Sequence, residues 1–391
     1  MNETLEIARL RRNPFTLVPG ERVTIWAGYS QLRSELMEVV QSCRSDQVGL
    51  SEFAILHGEL GTGKSHALRY LRHIITSENK DEFDSPCVYL ETLKVAASMN
   101  FVALYSKVMD LLVPHIKETA EWLHLEVEDT AKRKNPDGSL SEQRESIDAI
   151  YSDPRLTPGY PPLGHLLRGL NDNSSEALTL LLGEKLSGAG ATSKYAKYNM
   201  TSAIDSEYDA TRCLGAYVNL CTRGSDVLSE GDVVGRNKAF YFFFDELEIA
   251  TDFRPQEVLS LNQGIRDLIN ACPENCCFLF GMTGDVRSIY GLLTQAVIRR
   301  MSREPMEIEP LTSEEAVDFL KQVLKGHRSD PSDPDEYPFE ENALLAIAEA
   351  TQIKTSSDLF RGCRRVLEKS VLSGALQPGG TIDVNMVQMA M

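Results

Sequence analysis

The sequence predicts an α/β fold, a parallel sheet between two layers of helices, with a large, mainly helical insertion and a small C-terminal helical lid domain. Three observations carry that expectation. A short apolar run, Phe53-Ala-Ile-Leu56, ends in a glycine-rich turn and is followed at once by an amphipathic stretch with Ala67, Leu68, Leu71, Ile74 and Ile75 on one face. Two later runs, residues 239–244 and 277–282, are apolar without alternation, as strands buried on both faces of a parallel sheet must be. From about Pro310 onward the apolar spacing is helical only.

The glycine-rich turn is the most specific signal. Gly58-x-x-x-x-Gly63-Lys64-Ser65 fits the Walker A pattern at each defined position, and it stands between strand and helix as a phosphate-binding loop requires. Its glycines let the backbone curl so that successive N–H groups face one anion. The helix that follows adds unpaired N–H groups and the positive end of its dipole. Lys64 is then placed to reach β- and γ-phosphates, and the Ser65 hydroxyl to ligate Mg²⁺. Gly58, Glu59, Leu60, Gly61, Thr62, Gly63, Lys64, Ser65 and His66 form the candidate nucleotide-binding set, with ATP and Mg²⁺ as expected ligands. The fold class is that of a P-loop NTPase with a three-layer parallel sheet. The plainer alternative is a glycine-rich turn that happens to precede Lys-Ser.

With 391 residues the chain is long enough for two or three domains. A content of 42% hydrophobic and 25% charged residues is that of an ordinary globular protein, and no apolar run approaches a membrane span. Met1-Asn-Glu-Thr-Leu-Glu6 lacks the basic-then-apolar layout of an export signal. The eight scattered cysteines then read as reduced thiols, and a cytoplasmic location with no membrane partner is expected. Cys272, Cys276 and Cys277 lie close together without a second pair at metal-ligand spacing. Buried thiols flanking a strand are expected there, with a zinc site as the alternative. A net charge of −17 excludes a surface that binds nucleic acid throughout, but not a local basic groove.

Three regions are expected: residues 1–48 as an N-terminal arm with a leading helix, 49–309 as the nucleotide-binding α/β domain, and 310–391 as the lid. Arg9, Arg11 and Arg12 precede Asn13-Pro14-Phe15, and a helical pattern begins at Ser30. The arginines read as a solvated face, or as a contact for nucleic-acid phosphates or a neighbouring subunit. Cys87-Val-Tyr-Leu90 reads as a second strand, and a helix of mixed periodicity follows from Phe101. From about residue 114 to 210 no strand is expected, and prolines and glycines punctuate short helical patches. Lys132-Arg133-Lys134 and Lys194-Tyr195-Ala196-Lys197-Tyr198 lie in this insertion. The second has the aromatic interleaving of a single-strand binder, but a solvated helical surface is the simpler reading.

The run Ala239-Phe-Tyr-Phe-Phe-Phe244 ends in Asp245-Glu246. Adjacent carboxylates at the end of a buried strand are costly unless a cation or hydrogen-bond donors meet them. Downstream of a phosphate loop they read as Walker B, with Asp245 holding the Mg²⁺ shell and Glu246 orienting and deprotonating the attacking water. An acidic cap on the strand end is the alternative. The next buried strand ends in Thr283, whose hydroxyl is placed to hydrogen-bond the lytic water or the γ-phosphate. Arg299 and Arg300 follow a further helix, then a short strand at 306–308. Thr312-Ser-Glu-Glu315 is a capping box that opens the lid.

This order of elements resembles the AAA+ ATPases, over residues 13–112 and 211–372. The stretch Met306-Glu-Ile-Glu-Pro-Leu-Thr-Ser-Glu-Glu-Ala316 looks like the branch holding origin-recognition and Cdc-type initiators. Bacterial TnsC-, TniB- and ExeA-like ATPases share that look, and Asn13-Pro14-Phe15 resembles their start. The resemblance implies a homo-oligomer with ATP at subunit interfaces, Thr283 at the sensor 1 position, and Arg299 or Arg300 as an arginine finger acting on the next subunit's γ-phosphate. Where the family commonly has Gly-x-x-Arg on a lid helix, this chain has Thr355-Ser-Ser357-Asp358-Leu-Phe-Arg361. Ser357 stands at the usual arginine position, and Arg361 one turn later.

Two functions fit. One is an ATPase that assembles on, and remodels or regulates, DNA or a DNA-bound protein complex, in a setting such as a mobile element or phage defence. The other is a nucleotide-gated switch or adaptor that recruits a protein effector without DNA.

Overall fold

Five strands form one all-parallel sheet in the order β2-β3-β4-β1-β5. They are β1 Glu52–Gly58, β2 Cys87–Leu90, β3 Phe240–Phe244, β4 Cys276–Thr283 and β5 Met306–Ile308. The computed structural model describes residues 3–16, 23–93, 100–188, 190–228 and 235–391. All five strands fall on the apolar runs read from the sequence.

Side chains alternate across the sheet, and both faces are buried. Phe240, Phe242 and Phe244 share one face with Phe278 and Phe280 of β4. Their rings stack across the strands, with Phe244 and Phe280 centroids 4.8 Å apart. Tyr241 and Phe243 face the other way, onto the helices Ser30–Ser42 and Lys64–His73. Cys276 and Cys277, consecutive on β4, fall on opposite faces in separate cores, which separates the cysteine cluster. All eight cysteines are free, and among the described residues no three His, Cys, Asp or Glu side chains are grouped to hold a metal.

Among its described residues the interval between β2 and β3 holds helices and connecting loops but no strand, and it shares its core with the first face of the sheet. It departs from expectation at Pro114. The helix Phe101–Lys134 runs straight through that residue. Proline removes one backbone hydrogen bond from a helix interior. Here a continuous buried stripe outweighs that loss: Leu104, Val108 and Leu112 before the proline, Ile116, Ala120 and Leu123 after it. The expected insertion boundary therefore falls inside a single element.

The lid region holds helices Ser313–Lys325, Glu341–Ala350, Ser356–Leu372 and Val384–Ala390 around one apolar core. The described residues before β1 divide between two cores. Ala8, Leu10 and Phe15 join the lid core, where the Phe15 ring meets Phe339 and Phe360 edge-on. Main-chain bonds Arg11 N–H to His327 O (2.9 Å) and Ser329 N–H to Arg9 O (2.8 Å) stitch this segment to the lid. The helix Ser30–Ser42 packs on the sheet instead.

Each basic cluster is matched in part by carboxylates. Arg9 pairs with Asp333, Lys132 with Glu128, Arg133 with Asp129 and Lys194 with Glu176. Tyr198 is buried, its hydroxyl 2.7 Å from Ser174 Oγ, and the Tyr195 hydroxyl accepts the Leu186 N–H. Both tyrosines pack the helical region, Tyr198 buried and Tyr195 half-buried.

Candidate nucleotide-binding site

The phosphate loop leaves β1 at Gly58 and enters the helix Lys64–His73 with Gly63 as its N-cap. The apolar positions of that helix, Ala67, Leu68 and Leu71, dock on the sheet and hold the loop at its mouth. Lys64 is buried and donates to Gly58 O (3.1 Å) and Glu59 O (2.8 Å). Burial lowers its pKa, while the nearby carboxylates of Glu248 and Asp245 oppose that shift. The Thr62 hydroxyl donates to Glu59 O at 2.9 Å and ties the loop to itself. His66 Nε2–H donates to Ile25 O at 2.8 Å, and burial lowers its pKa, keeping the ring neutral.

Asp245 follows the last residue of β3, two strands from β1. It is 3% exposed. Its Oδ2 accepts the Tyr89 hydroxyl from β2 at 3.1 Å, and its Oδ1 accepts the Glu246 N–H at 3.0 Å. Arg69 Nε, on the phosphate-loop helix, donates in turn to the Tyr89 oxygen at 3.2 Å. Gly281 makes room for this carboxylate, since a Cβ there would stand 2.6 Å from Asp245 Oδ1. Glu246 sits in the left-handed region at φ 54° and is exposed. Thr283 ends β4 directly opposite Gly58 in the β1–β4 register.

These groups converge on one cavity of about 700 Å³. Leu60 to His66, Asp245, Glu246 and Thr283 line it, so both sequence-predicted motifs and the strand-end threonine share a single space. Gly58 and Glu59 do not line it; their carbonyls accept from Lys64. Val23, Ile25, Trp26, Phe319, Val323 and Phe360 supply an apolar wall of the kind a base or ribose requires. Ser65 and Asp245 bring the hard oxygen donors that suit Mg²⁺ to the same cavity.

The lid reaches the loop through serines. Ser356 Oγ and the Ser357 N–H both donate to Gly61 O, at 2.7 and 3.1 Å. Gly61 has φ 84°, and a Cβ there would lie 2.8 Å from Ser357 Cβ, so only glycine fits this approach. Arg361 also lines the cavity, exposed and bonded to Asp358 Oδ1 at 2.8 Å.

Arg299 and Arg300 stand apart from the cavity. Arg299 is exposed. Arg300 bonds Asn270 Oδ1 (2.6 Å) and Ala296 O (2.7 Å), and Arg303 pairs with Glu38 and Glu52.

Sequence reasoning missed Glu248, Tyr89, Gly281, the lid serines and the apolar wall. Glu248 had a signal, as the third acid in Asp245-Glu246-Leu247-Glu248. Gly281 had one too, because a glycine inside a buried strand marks a close approach. The wall had none, since it is drawn from three distant stretches.

No protein family and no curated protein matches the chain in sequence. Solved structures do. The chain is similar to the Aeropyrum pernix ORC2 protein, solved as ADPNP–ADP complexes, at 12% identity over 97% of this chain and 70% of that one, with a TM-score of 0.51. It is also similar to the Aeropyrum pernix ORC1 protein in complex with DNA, at 12% identity over 98% and 69% of the two chains, TM-score 0.49. Cdc6p from Pyrobaculum aerophilum shares 13% identity over 93% and 67%, TM-score 0.47. The parallel sheet, the loop at its mouth and the ORC2 likeness define a P-loop NTPase fold with a C-terminal helical domain. Within that class the fold is similar to that of the ORC2 protein.

Proposed function

We propose that the chain binds and hydrolyses ATP, assembles with itself so that subunits share the nucleotide site, and regulates a DNA-associated partner complex. The observation that supports this best is the convergence of Lys64, Ser65, Asp245, Glu246 and Thr283 on one cavity with an apolar wall. Loop N–H groups and Lys64 would hold the β- and γ-phosphates, while Ser65 and Asp245 would hold Mg²⁺. That ion, when bound, neutralises charge developing on the phosphate oxygens. Glu246 would take the proton of the attacking water, and Thr283 would orient that water or the γ-phosphate. Arg299 is the better finger, because Arg300 already bonds Asn270 and Ala296. The DNA-associated role rests on the motif resemblance to initiators. One observation favours the switch reading instead: carboxylates pair with Arg9, Lys132, Arg133 and Lys194 of the basic clusters on an acidic chain.

Nucleotide binding, turnover and particle size measured on Lys64→Ala and Glu246→Gln test the reading. Lys64→Ala is expected to lose ATP binding. Glu246→Gln is expected to bind ATP, stop turnover and accumulate the assembled form. Retained ATP affinity in the first, or normal hydrolysis in the second, would overturn the assignment. Stimulation of turnover by double-stranded DNA that fades with salt supports the DNA role. ATP-dependent capture of a protein, with no effect of DNA, supports the switch.

A further inference from the structure

β3 and β4 stop pairing at Phe244 and Phe280, whereas β1 and β4 stay paired as far as Gly58 and Thr283. The last residues of β4 thus have a strand on one side only. On the open side the chain passes through Asp245 and Glu246 into the short helix Leu247–Asp252 and sends the Glu248 side chain back toward β4. Glu248 Oε2 accepts the Thr283 N–H at 2.9 Å, where a strand carbonyl would otherwise stand. On the paired side, the Gly284 N–H donates to Gly58 O and His57 Nδ1–H to Gly284 O, both at 3.2 Å. Thr283 is clasped between the acidic turn and the start of the phosphate loop. Glu248 lines the cavity and lies close enough to Lys64 to act on its charge.

We propose that Glu248 is a positioning residue for hydrolysis: its carboxylate fixes the end of β4 so that the Thr283 hydroxyl stays beside the Asp245–Glu246 turn. The proposal rests on the ATPase reading above. A backbone N–H bond to a carboxylate is stronger than one to a neutral acceptor, and suits a group that must not drift during turnover. Nothing in the contact needs the charge to move, so an amide oxygen can replace it in part.

Steady-state hydrolysis and fluorescent-nucleotide binding by the full chain test this. Glu248→Ala is expected to lower kcat about tenfold or more while the nucleotide Kd stays within about threefold. Glu248→Gln, whose amide oxygen still accepts the N–H, is expected to restore kcat to within about threefold of the unmutated chain. Glu248→Asp, one methylene short, is expected to behave like alanine, and stands in for it should the alanine variant fail to fold. Thr283→Ala keeps the backbone N–H but loses the hydroxyl that Glu248 positions, so it is expected to fall to the same level or below, with the double variant no lower than Thr283→Ala. Undiminished kcat in Glu248→Ala, equal impairment of Glu248→Gln, or multiplying effects in the double variant would each overturn the proposal. An unmutated chain that fails to hydrolyse ATP, or a Lys64→Ala chain that hydrolyses it, overturns the underlying reading instead.

Discussion

Acidification from pH 8 to pH 5 is expected to destabilise the chain by about 2 kcal/mol through His115 alone. This histidine sits where the helices Phe101–Lys134 and Glu207–Arg223 meet the residues leading into β3. Its Nδ1 accepts the Tyr217 hydroxyl at 2.6 Å, and its Nε2–H donates to Asn237 Oδ1 at 3.0 Å. The Tyr217 bond requires the neutral ring, whereas the Asn237 bond favours the protonated one. Burial above all, and then the Arg236 cation, push its pKa down to about 4, against the opposing pull of Asn237 and Glu118. An unfolded histidine titrates near 6.5, so between these values the unfolded chain binds more protons than the folded one. The stabilisation is therefore complete above the unfolded value, declines as pH falls through it, and levels off below about 4. The two pKa values put the loss at about 2 kcal/mol by pH 5. Guanidinium unfolding at pH 8, 6.5 and 5 measures it, with His115→Gln as the comparison. Glutamine keeps an acceptor and a donor but does not titrate. Contributions from His66, His165 and His327 cancel between the two chains. Parallel stability curves for both would refute the reasoning.

Two further outcomes are expected. Gly61→Ala places a side chain at a left-handed φ, at a cost of about 1–2 kcal/mol, and against Ser357. Its effect should appear as nucleotide release about tenfold faster in stopped-flow measurements, because the lid serines lose Gly61 O; an unchanged release rate would count against that contact. Gly264→Ala puts a Cβ 2.0 Å from Phe101 Cγ, where the helix Pro255–Ala271 crosses the start of Phe101–Lys134. Overpacking of this kind should lower unfolding stability by about 1–3 kcal/mol, with part recovered on adding Phe101→Leu.

The sheet was legible because each strand is a short apolar run between turn signals, and no helix of that length could bury both sides. The Walker groups were legible because their chemistry is carried by adjacent residues. What escaped depends on partners far away in the chain. Pro114 carries the local mark of a helix end, yet Ile116, Ala120 and Leu123 continue the stripe of Leu104, Val108 and Leu112 on the same core. Tyr195 and Tyr198 have the spacing of a stacking surface, but their hydroxyls are used by Leu186 N–H and Ser174. Phe15 looked like part of an independent arm until Phe339 and Phe360 closed around it. The missing lid arginine is the instructive case. No side-chain motif marks the lid's link to the loop, which the structure makes through Ser356 Oγ and the Ser357 N–H meeting one carbonyl.

Asp245 and Glu246 are neighbours in sequence held in opposite physical states. Asp245 has Tyr89 and a backbone N–H on its two oxygens, a glycine cut away beneath it, and almost no exposure. Its rotamers are lost on folding, before any ligand arrives, so a cation bound there would meet a preorganised donor and cost little further ordering. Glu246 is exposed at the cavity edge on a left-handed backbone, a conformation that a non-glycine residue holds only when its surroundings enforce it. The enforcement is visible: the turn must reverse within two residues so that the Glu246 N–H can reach Asp245 and Glu248 can return to Thr283. A general base needs access to water, which the exposed carboxylate has and the covered one lacks. The strain at residue 246 is thus the geometric consequence of building a buried acid and an exposed acid from consecutive positions on one strand end.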